Sequence, residues 1–450
     1  MTTKRIKSLV TAGLLVFSIR ASAQSVERPN ILLILVDDLG YGDLSCQGGR
    51  DIRTPNIDRI IDRGIRFTDF HANCPVSSPS RAAMLTGRFP DMVGVHGVVY
   101  PDGPLGYLSP DAVLLPTVLK SAGYHSALVG KWHLGHESPN LPNDRGFDHF
   151  KGFLGGMMDY YTHLHDGNNL DYMRHNHEPI ETQGIHATDL FTDWAVEYLH
   201  EQKGKKEPFF LYLAYTAPHT PIQPPQEWEE KVKRREPGIT EQRAQIVALI
   251  EHLDDGVGRV LATLEKNGMM DNTFIIFTSD NGGALGTGAN NGIYRGSKGQ
   301  MFEGGIRVAC GMYWKGKIEA GRVTDNLALL SDLFPTICNA AGAQFSHPVD
   351  GINLMPTLLG EDQITNNRTV YWMRRRDAGG MIYYAARQGN FKILQNAPGE
   401  PFRFFDLDAD PVERKPLDPD KDSPEIFRQL LQSQLEHIRL SGAVPWKKEE

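Results

Sequence analysis

The run Asn30-Ile31-Leu32-Leu33-Ile34-Leu35-Val36, closed by Asp37-Asp38, constrains the fold of this chain more than any other stretch. It has the length of a strand and is apolar on both sides of its pleat. Such a strand is stable only where both faces are covered, as in a parallel sheet with helices above and below. Comparable apolar runs return at 125–130, 208–215 and 272–278, while 112–122, 186–202 and 240–267 carry helical periodicity. Strands alternating with helices predict an α/β fold with a mostly parallel sheet. Polar residues follow each run: Asp37 and Asp38, then Lys131 and His133, then His219, then Asp280 and Asn281. Ligands of open α/β sheets bind beyond the carboxyl ends of the strands, so these four ends are expected to meet at one crevice.

Beyond about residue 360 the pattern changes to short strand-like pieces at 369–373, 381–387, 390–394 and 402–407, followed by a helix near 424–439. These predict a smaller α+β unit. The expected division is a leader at 1–23, a catalytic domain at 24–360 and a C-terminal subdomain at 361–450. Lys4, Arg5 and Lys7 precede a short apolar run at 9–19, and Ala21-Ser22-Ala23 follows it. That order is the pattern of a secretory signal peptide cleaved near Ala23, so an exported protein, periplasmic or secreted, is expected. No later stretch approaches the ~20 apolar residues of a membrane-spanning helix. A formal net charge of −8 provides no basic footprint for nucleic acid. The cysteines at 46, 74, 310 and 338 lack paired spacing, which indicates neither a zinc site nor a disulfide framework, and they are expected to be core residues.

Several polar stretches have an ordinary reading when taken singly. In Ser77-Ser78-Pro79-Ser80-Arg81-Ala82-Ala83-Met84-Leu85-Thr86-Gly87-Arg88, Pro79 suits a helix start, with Ser78 or Ser80 as cap. Asp37-Asp38 suits a turn or cap, Lys131 and Lys298 a solvated surface, His133 and His219 structural positions. Together they make a different pattern. Asp37, Asp38, Asp280 and Asn281 supply hard oxygen ligands of the kind calcium or magnesium takes.

The ordered set Arg28-Pro29-Asn30, Asp37-Asp38-Leu39-Gly40, Thr54-Pro55-Asn56-Ile57-Asp58, the Ser77 motif, Gly130-Lys131-Trp132-His133-Leu134-Gly135, Ala217-Pro218-His219, Ser279-Asp280-Asn281-Gly282 and Gly296-Ser297-Lys298-Gly299 resembles the sulfatase family in its serine-type form. It is most similar to the branch of arylsulfatases and galactosamine-6-sulfatases. The resemblance implies an alkaline phosphatase-like core, with a large, mostly parallel sheet flanked by helices and a short antiparallel sheet in the C-terminal subdomain. It implies oxidation of Ser77 to formylglycine (3-oxoalanine) by an anaerobic-type sulfatase-maturating enzyme. It further implies one Ca²⁺ held by Asp37, Asp38, Asp280, Asn281 and modified Ser77. Arg81 and Lys131 would hold the formylglycine hydrate, His133 would assist its hydroxyls, and His219 and Lys298 would bind sulfate and leaving-group oxygens, one of them donating a proton.

The chemistry of a sulfate ester suits such a set. Its negative charge repels nucleophiles, and a divalent cation with Lys and Arg neutralises that charge as more develops in the transition state. The implied substrate is a sulfated saccharide, with galactose or N-acetylgalactosamine sulfate of host glycans or glycosaminoglycans favoured. Its binding residues are expected at His96, shortly after the nucleophile motif, at Tyr160 and His163 in the Gly- and Asn-rich loop 140–185, and at Arg374. Arg374-Arg375-Arg376 reads either as a solvated charge run or as a reach toward substrate from the C-terminal subdomain. Trp132, Tyr160, Tyr161 and Trp372 read either as sugar-stacking or as packing residues. Two rival functions use the same residues: a phosphatase or phosphodiesterase with unmodified Ser77 and a second metal, and a sulfated-glycan binding protein without turnover.

Overall fold

The computed structural model describes residues 28–100, 108–165, 170–376 and 382–441; the expected leader at 1–23 lies outside them. The first half runs β1 (Asn30–Val36), α1 (Pro55–Asp62), β2 (Ile65–Phe67), β3 (Phe70–His71), α2 (Ser77–Thr86), α3 (Leu115–Ser121), β4 (His125–Lys131), β5 (His149–Phe153), β6 (Met173–His175), β7 (Glu178–Pro179), α4 (Ala187–Gln202) and β8 (Phe209–Ala214). The second runs α5 (Gln226–Arg235), α6 (Glu241–Lys266), β9 (Thr273–Ser279), α7 (Glu303–Ile306), β10 (Cys310–Trp314), β11 (Arg322–Thr324), β12 (Ala328–Leu329), α8 (Leu333–Ala341), α9 (Met355–Leu359), β13 (Thr369–Arg375), β14 (Ile382–Gln388), β15 (Phe391–Gln395), β16 (Arg403–Asp406) and α10 (Pro424–Ser441).

Among the described residues ten strands form one sheet in the order β11-β2-β10-β9-β1-β8-β4-β5-β6-β7. Its centre is parallel: β1 lies between β8 and β9, with Leu33 opposite Tyr212 on one side and Ile276 on the other. The opening run is apolar throughout because its two faces feed two cores. Ile31, Leu33 and Leu35 pack with α2, α3 and α8 through Met84, Leu119 and Phe334. Leu32, Ile34 and Val36 pack with α1, α4 and α6 through Ile57, Phe191 and Ile250. Every β1 residue after Asn30 is fully buried.

The layered α/β architecture agrees with the sequence reading, with differences at its margins. The segment 140–185 is not only loop, since β5, β6 and β7 extend the sheet edge through it. The antiparallel β10 and the charged helix α5 also lacked a sequence signal: Gly311 interrupts the strand pattern of β10, and Val232 is the only buried residue of α5. Helix α3 starts at Leu115 rather than 112 because Leu114 is extended and Pro116 occupies the first turn.

At the C-terminal end β13 to β16 form an antiparallel four-stranded sheet. One face packs Ala386, Ile393 and Phe404 against Leu430 of α10. The other packs Trp372, Ala385 and Leu394 against Phe302, Ile306 and Leu329. Buried charges join the same surfaces. Arg387 donates to both oxygens of Asp69 at 2.8 and 2.7 Å, and Lys392 meets Glu303 at 2.8 Å and Glu413 at 2.9 Å. Among the described residues no helix is long and apolar enough to cross a membrane.

Candidate active site

The carboxyl ends of β1, β4, β8 and β9 converge, and helix α2 brings Ser77 to them. Helix α2 begins at Ser77 itself, after extended Val76, and all of its residues are buried. Pro79 therefore sits inside the first turn, where a missing N–H costs no intrahelical bond. Ser78 and Ser80 are not caps. Ser78 Oγ accepts from Val99 N, and Ser80 Oγ bonds back to Cys74 N and O. This leaves Ser77 Oγ for the crevice, donating to Asp37 Oδ1 at 3.0 Å, with Asn281 Oδ1 and Lys131 Nζ each at 3.5 Å.

Acids and bases alternate around that hydroxyl. Lys131 Nζ donates to Asp37 Oδ2 in a very short contact. Arg81 donates to Asp280 Oδ2 through Nη2 at 2.8 Å and Nε at 3.1 Å, and its Nη1 is held by Lys131 O and Tyr212 Oη. Lys298 Nζ donates to Asp38 Oδ2 at 2.8 Å, and His219 Nε2 lies 3.7 Å from the same oxygen. His219 Nδ1 donates to Thr220 O at 2.7 Å, which fixes its tautomer and turns Nε2 toward the site. Asp38 and His133 adopt φ of 65° and 62°, a left-handed conformation that side-chain-bearing residues rarely take and that concentrates at functional sites. Gly156 is what lets the His133 ring fit: a Cβ there would lie 2.4 Å from Nε2. Among the described residues His133 Nδ1 is buried without a hydrogen-bond partner.

Burial and neighbouring charge shift these groups in opposed directions. Burial would raise Asp37, but Lys131, His219 and Arg81 outweigh it and hold the carboxyl below its usual range. Asp38 is likewise lowered, with Lys298 overcoming burial. Asp280 is raised by burial and by its neighbour Asp37. Burial lowers Lys131, whereas Lys298 is raised because Asp38 and Asp37 overcome burial. Burial, then Lys131 and Arg81, push His133 well below the ordinary imidazole value; burial and Lys298 lower His219.

The donor set fits a hard divalent cation. Asp37, Asp38 and Asp280 offer buried carboxylates, and Asn281 donates its Nδ2 to Asp38 Oδ1 at 2.7 Å, which leaves its amide oxygen facing Ser77. All are oxygen ligands on short side chains at strand ends, as Ca²⁺ or Mg²⁺ sites require.

Ser77, His133, His219 and Lys298 line one cavity of about 360 Å³ together with Tyr100, His165 and Arg374. Of the four residues expected to bind substrate, only Arg374 stands on this wall. His163 is turned into its own loop, with Nδ1 on Thr182 Oγ1 and Nε2 on Ile185 O, and His165 takes the cavity position instead. His96 is buried behind the wall, where its carbonyl accepts from Arg375 N. Tyr160 is fully buried, stacks on His186 and donates to His219 O, so it braces the His219 loop and offers no face to a sugar. Trp132 and Trp372 are packing residues too, fully buried with their indole N–H groups on Asn140 O and Ala72 O. Tyr100 and His165 were not legible as wall residues, because no local pattern distinguishes them from other loop side chains.

Comparison with known proteins agrees with this geometry. The model of the Sulfatase family matches residues 29–343, and that of the N-sulphoglucosamine sulphohydrolase C-terminal region matches 292–441. The chain is 34% identical over 393 residues to N-acetylgalactosamine-6-sulfatase of Mus musculus, covering 82% of this chain and 72% of that protein. It is 30% identical to arylsulfatase A of Homo sapiens, covering 96% and 92%. The crystal structure of Ps i-CgsB in complex with k-i-k-neocarrahexaose superposes with a TM-score of 0.82 at 33% identity, covering 92% of each chain. A family match over most of the length, joined to a helix that brings Ser77 among acids and bases at four strand ends, shows that this chain belongs to the sulfatase family.

Proposed function

We propose that this sulfatase removes sulfate from a sulfated saccharide through formylglycine formed at Ser77, with one calcium ion at Asp37, Asp38, Asp280, Asn281 and the modified Ser77. The observation that carries the reading is the position of Ser77 Oγ, between Asp37, Asn281 and Lys131 on the wall of a cavity that also holds His133, His219 and Lys298. Galactose or N-acetylgalactosamine sulfate is the favoured substrate, supported by the likeness to N-acetylgalactosamine-6-sulfatase and to a structure holding a neocarrahexaose.

The divalent cation, when bound, draws charge from the sulfate oxygens and favours the ionised nucleophile. Formylglycine, in its hydrated form, supplies one hydroxyl to attack sulfur and a second to release sulfate afterwards. The rest falls to this chain's own groups. Asp37 accepts the proton-bearing side of the nucleophile, and Arg81 and Lys131 add positive charge that is fixed before the reaction begins, so little reorganisation is needed as charge develops. His133, which lines the same cavity as Ser77 and is kept well below the ordinary imidazole value by its surroundings, takes a proton from a hydroxyl at residue 77 in this reading. A sugar alkoxide is a poor leaving group, and His219 or Lys298 supplies its proton.

Peptide mass spectrometry across Ser77 on protein from the native host, paired with sulfate release from sulfated galactose and N-acetylgalactosamine sugars, tests the reading. An aldehyde at residue 77 with sulfate release is expected, and chelation should abolish turnover until Ca²⁺ is returned. Full occupancy by plain serine in turnover-competent protein would overturn the formylglycine assignment. Turnover that survives complete chelation would overturn the calcium assignment.

A further inference from the structure

Arg374 stands apart from the other cations in and behind the cavity. Lys131, Lys298 and Arg81 each pair with a carboxylate. Arg374 lines the cavity of Ser77 and Lys298 from β13, yet among the described residues no carboxylate pairs with it, and its electrostatic neighbours are Cys74, Tyr383, Tyr100 and the like-charged Arg376. Its Nη1 donates to Gly299 O, one residue beyond Lys298, and its guanidinium lies 5.7 Å from the Tyr383 ring, while its Nε is buried without a partner. The carbonyl contact depends on a bare backbone: a Cβ at Gly299, whose φ is 88°, would come within 2.3 Å of Nη1. The result is a fixed, largely desolvated guanidinium on the cavity wall with unused donors. An uncompensated charge of this kind is costly in the free protein and is relieved by an anion.

We propose that Arg374 binds a second anionic group of the saccharide, a further sulfate or a uronate carboxylate, beside the sulfate ester hydrolysed at Ser77. This deepens, and rests on, the saccharide reading above. The enzyme then prefers doubly anionic sugars, and Arg374 acts on specificity and not on the chemical step. A planar guanidinium with several parallel donors suits either oxyanion.

The test compares three saccharides: N-acetylgalactosamine 6-sulfate, its 4,6-disulfate, and the 6-sulfate linked to a uronate. They are assayed with the mature enzyme as wild type, Arg374→Ala and Arg374→Lys. Binding to each is also measured by calorimetry on protein with unmodified Ser77, which separates recognition from turnover. Wild type is expected to favour one doubly anionic sugar, and the favoured one identifies the group as sulfate or carboxylate. Arg374→Ala should erase that preference by raising KM about ten- to a hundredfold on that sugar, with kcat little changed, and Arg374→Lys should restore part of it. Gly299→Ala should weaken the same preference. Wild-type turnover of the monosulfate with no preference for either doubly anionic sugar, or equal losses on all three in Arg374→Ala, would overturn the proposal and leave the saccharide reading intact. Failure of the wild type on every saccharide would overturn both.

Discussion

The hydroxyl of Ser77 is surrounded by groups whose roles separate only by substitution. Ser77→Ala keeps a residue that suits helix α2 and removes the proposed nucleophile, so sulfate release should fall by at least about a thousandfold with the unfolding midpoint nearly unchanged. A melting point lowered by many degrees would instead make Ser77 a folding residue. The proton donor is a second residue-scale question. On sugar sulfates, loss of the donor should cost about 10²- to 10⁴-fold in kcat, and far less on an aryl sulfate, whose leaving group needs no proton. The variant of His219→Ala and Lys298→Ala that shows this selective loss identifies the donor; equal losses on both substrate types in both variants would remove each from the role. Sequence made Ser77, Lys131, His133, His219 and Lys298 legible because each sits in an ordered local motif at or beyond a strand end or helix start. It did not make Tyr160 or His163 legible in their true roles. A tyrosine that braces a backbone and one that faces a sugar have the same one-letter surroundings, and only the packing of His186 and Gln223 around the loop decides.

At the scale of elements, the site is positioned by the strand that supplies Asp37 and Asp38. Leu33 lies in the middle of β1, fully buried in the core that also holds α2 and α8. Leu33→Ala should cost about 2–5 kcal/mol through lost burial and a cavity that the two neighbouring strands cannot close. Urea unfolding measures this, and a loss below about 1 kcal/mol would mean that the layer relaxes freely. Central elements such as β1, β8, β9 and α6 were readable because burial on both faces, or on one long stripe, writes itself into residue order. Edge elements were not. The strands β5 to β7 are short and half-exposed, and α5 covers the core with little more than Val232, so their apolar signal is too brief to distinguish from loop.

Across the whole molecule, the C-terminal sheet is locked to the core by charge as well as by apolar contact. Burial would raise Asp69, but Arg307, Arg387 and His71 outweigh it and hold its carboxyl at about 2, against an ordinary 3.8. A depressed carboxylate contributes stability above its unfolded value and loses it as pH falls through the folded one. The contribution, about 2 kcal/mol, should therefore be complete above about pH 4 and fade toward pH 2. At pH 7 Asp69→Asn leaves Arg387 and Arg307 buried without full compensation and should cost about 3–5 kcal/mol. Its stability gap to wild type should narrow below pH 4 in urea titrations; a gap constant from pH 7 to pH 2.5 would show that Asp69 carries no such charge. Residue order alone determined the layered α/β core, the strand ends that bear the candidate site, and Ser77 with the acids and bases around it, because burial periodicity and short motifs are properties of neighbours in the chain. Tertiary structure alone decided that Arg374 of β13 reaches the cavity of Ser77 while His96 and His163 do not, and that Asp69 meets Arg387. Those partners are hundreds of residues apart or differ only in side-chain direction, and packing of the completed core is what fixes both.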